Sequence, residues 1–182
     1  MACLRILAGL LILTATAAAQ GPERPAAAPA AIDEALRWIT RNSTYRAIPL
    51  RHWITVTAED MPAQARKLRA AGDPRMVYAM YVCASRTLYF RADADFRDPV
   101  VFSFLVHELT HHLQCETGRS DVDLCAWERE AYGIQHAYLR SVAKAGTMDG
   151  VRLSRKRLAA VQTTAADLDR RRDEACRDLQ RY

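Results

Sequence analysis

Residues 98–116 read DPVVFSFLVHELTHHLQCE. Asp98 is of a type that caps helices, and Pro99 suits the first helical position, where its missing N–H removes no bond. Val100, Val101, Phe102, Phe104, Leu105, Val106, Leu109 and Leu113 then cover nearly the whole circumference. A helix that is apolar all round is a buried one. The spacing therefore predicts a central helix ending near Glu116, with Gly118 as its stop. Histidine and glutamate inside such a helix are costly to bury without partners.

Those polar residues are His107-Glu108-Leu109-Thr110-His111. Residues four apart lie within about 40° of each other around the axis, so two imidazoles can meet one cation. Glu108 is one step round, near enough to serve as a base without being a ligand. Zn2+ is the expected ion, because it lowers the pKa of water from roughly 16 to about 7 and Glu108 can then move the proton. His112 is turned by about 100° from His111 and reads as a packed or hydrogen-bonded histidine.

A catalytic zinc usually takes three protein ligands. The third can come from Trp127-Glu128-Arg129-Glu130-Ala131-Tyr132, on a helix expected from Leu124 to Ala143 with Asp123 as its cap. Glu128 and Glu130 lie about 200° apart on that helix, so at most one of them can face the metal. Tyr132 and His136 follow Glu128 at steps of four, and either could donate to a developing oxyanion or touch substrate.

Elsewhere the pattern alternates. His52–Thr57, Met76–Ala84 and Thr87–Ala92 read as strands, the last two as a hairpin about Ser85-Arg86. Ile32–Ile39, Glu59–Ala71 and Ser154–Leu179 read as helices. The expected class is α+β: a small antiparallel sheet packed on the HExxH helix and a glutamate-bearing helix, plus a C-terminal helix.

At this point the chain resembles the gluzincin side of the HExxH metallopeptidases, especially the minimal ones. Those families pair HExxH with a later ExxA(D/N) helix, and Glu128-Arg129-Glu130-Ala131 matches ExxA with Tyr132 in the Asp/Asn place. The resemblance implies a zincin-like domain with Glu128 as third ligand, Glu130 as the alternative, and a peptide or protein substrate. It also implies that the hairpin before HExxH binds extended peptide by strand addition. The helix VHELTHHLQ (106–114) is similar to that of uncharacterised exported proteins. The metzincin alternative is excluded, because Gln114 and Thr117 stand where Gly and His would be. Two other readings use the same residues: a non-catalytic zinc-binding or interaction protein, and an envelope amidase.

Residues 1–19 read as a signal peptide, with Arg5, an apolar run and Ala17-Ala18-Ala19. Residues 20–31 read as a Pro/Ala-rich linker, which leaves 32–182 as the folded domain. The expected location is periplasmic or secreted. Cys83, Cys115, Cys125 and Cys176 then read as two disulfides. The preferred pairing is Cys115–Cys125, closing a short loop, with Cys83–Cys176. The formal charge is +5, or +4 without residues 1–19. No nucleic-acid motif accompanies it. Arg155-Lys156-Arg157 and Arg170-Arg171-Arg172 in the last helix allow weak contact with an anionic surface but read first as a solvated face.

Overall fold

The computed structural model describes residues 28–68, 77–118 and 123–179. The signal-peptide reading and residues 20–27 lie outside them. Helix α1 (Ala28–Asn42) buries Ala28, Ala31, Ile32, Ala35, Leu36 and Ile39 along one stripe. It therefore begins four residues before Ile32. The last four residues of the expected linker are helical because Ala28 and Ala31 have a core to enter.

Strand β1 (His52–Val56), helix α2 (Met61–Lys67), strand β2 (Ala79–Val82), a 3-10 turn (Cys83–Ser85) and strand β3 (Thr87–Arg91) follow. The strand order is β1-β3-β2. β2 pairs antiparallel with β3, with Tyr81 opposite Leu88. β1 pairs with the other side of β3 but runs parallel to it, His52 opposite Thr87. The sheet is mixed, which corrects the antiparallel expectation. The stretch through α2 and β2 is long enough for the crossover that parallel neighbours require. Alternation then sorts the faces. Ala79, Leu88 and Phe90 enter the main core, while Met80 and Tyr89 meet Met61 and Ala65 of α2.

Helix α3 (Pro99–Glu116) starts where the sequence places it, with the Asp98 carboxylate accepting from Val100 N and Val101 N. It buries Phe102, Leu105, Val106, Leu109 and Leu113 and packs against α1, β2 and helix α4 (Leu124–Ala145). Asp123 caps α4, and Gly146 ends it at φ +66. A small hairpin, β4 (Thr147–Met148) and β5 (Val151–Arg152), leads into helix α5 (Arg155–Leu179), which packs along α4.

All four expected cysteines are bridged, but as Cys83–Cys115 and Cys125–Cys176. The preferred pairing is therefore corrected. Cys115, in the last turn of α3, faces the 3-10 turn after β2, with Cα atoms 5.9 Å apart. Cys125, in the first turn of α4, faces the far end of α5 at 4.7 Å. One bridge ties the sheet to the central helix, and the other holds α4 and α5 antiparallel. Such bridges fit an oxidising compartment. Among the described residues, no helix is long and apolar enough to cross a membrane.

Candidate metal centre

His107 and His111 leave the same face of α3, and their Nε2 atoms come within 3.2 Å of each other. The burial of α4 aims the third group. Ala131 is 0% exposed, and Glu128 sits about 60° to one side of it, with Glu130 about 100° to the other. Glu128 reaches forward: Oε2 is 3.4 Å from His107 Nε2, and Oε1 is 3.5 Å from His111 Nε2. Glu130 reaches behind His111, to Gln114 and Tyr45. His107, His111 and Glu128 thus form a group able to hold a metal ion, and Glu130, the alternative third ligand, is not a member of it.

The separations leave room for one small cation among the three residues. Ligand atoms at about 2.0–2.1 Å from a tetrahedral ion stand roughly 3.3–3.4 Å apart. The two Nε2 atoms stand 3.2 Å apart, each faces a different oxygen of Glu128, at 3.4 and 3.5 Å, and one ligand atom from each residue lies within 4.8 Å of the other two. Two imidazoles and one carboxylate are also the donor set of open zinc sites.

Charge within the cluster follows from the same closeness. Burial disfavours the Glu128 anion, yet the hydrogen bonds and charge of His107 and His111 outweigh it and hold its carboxyl far below the usual range. Burial likewise pulls His111 down, but Glu128 beside it leaves that ring raised to about 9. Glu108 is raised, first by burial and then by Glu128, against the pull of the two histidines. One oxygen of Glu108 accepts from the backbone N–H of Tyr81 at 2.7 Å, so strand β2 anchors the candidate base directly.

His112 serves packing, as its helical phase implies. Its Nε2–H donates to Ile48 O at 3.0 Å, and its Nδ1 accepts from the Tyr81 hydroxyl at 3.2 Å. Tyr132 is brought to the site, its ring 4.6 Å from that of His107 and edge-on to it. His136, one turn further along α4, is half buried and is not a member of the metal-ligating group. Gln114 was missed as a functional residue. It accepts from His111 Nδ1 at 2.7 Å, and its signal was its spacing: three residues after His111, on the same face.

On the arginine-rich face of α5, Asp167 pairs with both Arg170 and Arg171, and Arg172 pairs with Asp173.

No curated protein and no solved structure matches the chain. Residues 24–153, which include every residue of the site, match the family described as a domain of unknown function, DUF6647, and the chain belongs to that family.

Proposed function

We propose that the chain is a zinc-dependent metallopeptidase acting in the periplasm or outside the cell. The observation that carries this reading is the convergence of His107 Nε2, His111 Nε2 and the Glu128 carboxylate into one group able to hold a metal ion, with Glu108 on the next helical position. Zinc, when bound, supplies the Lewis acidity that activates water and polarises a carbonyl. The remaining work falls to the chain's own groups. Glu108, with its pKa raised, is a better proton acceptor than an ordinary carboxylate. Tyr81 N–H holds one of its oxygens, which leaves the other to take a proton from water and pass it to the departing amine. Tyr132, beside His107, is the candidate donor to the oxyanion.

The sheet supports a peptide substrate. Arg91 N donates to Tyr78 O, so alternation gives Met80 and Val82 to the ladder and turns the backbone groups of Ala79 and Tyr81 outward. β2 is an edge strand, and its outer side faces α3 at Glu108. An extended peptide laid along it would pass the candidate base.

The test compares zinc content with cleavage of unstructured peptides. Glu108→Gln should keep one zinc per chain and lose at least about 100-fold in rate. His111→Ala and Glu128→Gln should lose stoichiometric zinc. A Glu108→Gln variant that cleaves as fast as the wild type overturns the mechanism.

A further inference from the structure

His111 Nδ1 meets Gln114 Oε1 at 2.7 Å. The other end of that amide, Nε2, lies 3.0 Å from Glu130 Oε2 and 3.1 Å from the carbonyl of Trp127. The Tyr45 hydroxyl donates to the same Glu130 oxygen at 2.8 Å. Gln114 is 0% exposed, so water does not substitute for these partners.

The directions of these bonds follow from donor chemistry. A carboxylate and a backbone carbonyl can only accept. The NH2 of Gln114 must therefore face Glu130 and Trp127. Its carbonyl must face His111, and the imidazole must carry its proton on Nδ1. The lone pair is then left on Nε2, the atom that faces His107 and Glu128. The tautomer of a ligand on α3 is thus dictated from α4 and from the segment that leaves α1. Among the described residues His107 has no such support: its Nδ1 is buried without a hydrogen-bond partner there.

We propose that Gln114, Glu130 and Tyr45 are positioning residues that fix the tautomer and direction of His111 and so set the affinity of the metal centre. Glu130 is an outer support of the site, on the opposite side of α4 from the ligand Glu128. This inference rests on the zinc reading, because it concerns the same site. Groups that orient ligand histidines typically carry 10–100-fold in metal affinity.

The experiment measures zinc affinity by competition with a chromophoric chelator, alongside the thermal melt of each variant in chelator. The wild type is expected to bind zinc. Gln114→Leu and Glu130→Leu should each weaken binding 10–100-fold with melts close to that of the wild type. Gln114→Glu alone should also weaken it, because two carboxylates then face each other. The exchange Gln114→Glu with Glu130→Gln should recover part of the affinity lost in Gln114→Glu, the Trp127 carbonyl being left without its donor. In that pair, position 114 still accepts from His111, and position 130 now donates to it. A purely packing role has no reason to be repaired by exchanging the two groups. Tyr45→Phe, which deletes one hydroxyl at the outer end, should weaken binding several-fold if larger changes prevent folding. Unaltered affinity in Gln114→Leu and Tyr45→Phe overturns the relay while leaving the zinc site standing. A wild type that takes up no zinc overturns both.

Discussion

Removing the Cys83–Cys115 bridge should destabilise the fold and loosen the site together. The bridge closes a sequence separation of 32 residues. In the chain-entropy account, a loop of that size restricts the unfolded ensemble by about 3.7 kcal/mol at 25 °C. The Cys125–Cys176 bridge, with a separation of 51, gives about 4.1 kcal/mol by the same relation. Either value is a large share of the roughly 5–15 kcal/mol that holds a domain folded. For a chain of this length it corresponds to a fall of roughly 7–15 °C in Tm. The appropriate variants are Cys83→Ser with Cys115→Ala, and Cys125→Ala with Cys176→Ala. Melts followed by circular dichroism should show similar losses, because loop length enters only as a logarithm. Function should fall with both. Cys83 follows the strand whose Tyr81 N–H holds Glu108, and Cys115 follows His111 by about one turn. The first variant should therefore lose peptide cleavage beyond its loss of stability, and so should the second, because Cys125 precedes Glu128 by about one turn of α4. Equal melts for wild type and the first variant would refute the entropic reasoning. Linked peptides joining Cys115 to Cys125 in a non-reduced digest would refute the pairing on which it stands.

Two further expectations concern protons. Glu34 is raised to about 7, first by burial and then by its hydrogen bond to Asp149, with Arg37 opposing. The folded chain therefore keeps a proton that the unfolded chain has released. Stability from this group is fully present below about pH 4.5 and is lost as pH rises through 7. Denaturant melts between pH 5 and 8 should show that decline, and Glu34→Gln should flatten it; an unchanged slope in the variant would exclude Glu34 as the source. At the metal centre without a cation, Glu128 raises His111 to about 9, so that below this pH Nε2 carries a second proton beside the one on Nδ1. A cation must displace that proton, so apparent zinc affinity should climb about tenfold per pH unit below 9. Calorimetry in buffers of differing ionisation enthalpy should detect one proton released per zinc, and a buffer-independent heat would contradict it.

The parts of the fold that were legible are those set by residues near in sequence. Asp98 and Pro99 fix the start of α3 through local capping, and the all-round apolar pattern requires its burial. One helical turn is enough to bring His107 and His111 together. The illegible parts depend on which surfaces meet. The pattern of His52–Val56 identifies a strand but carries no information on its neighbour, so its parallel place beside β3 could not be read. Each cysteine pairs across elements that only the packing of α3 on β2 and of α4 on α5 brings together. The β4–β5 hairpin was passed over because each strand has only two residues. Its Asp149-Gly150 turn, with φ of 50 and 75, is nevertheless a recognised hairpin signal. Glu128 and Glu130 show where the boundary falls. Helical phase alone states that the two acids serve different sides. Which of them meets the histidines depends on the rotation of α4 about its axis, and that is set by burying Ala131, Gln135, Leu139 and Val142. The same rotation sends the second acid to Gln114. One packing decision thus supplies both the carboxylate among the ligands and the carboxylate that steadies one of them from behind.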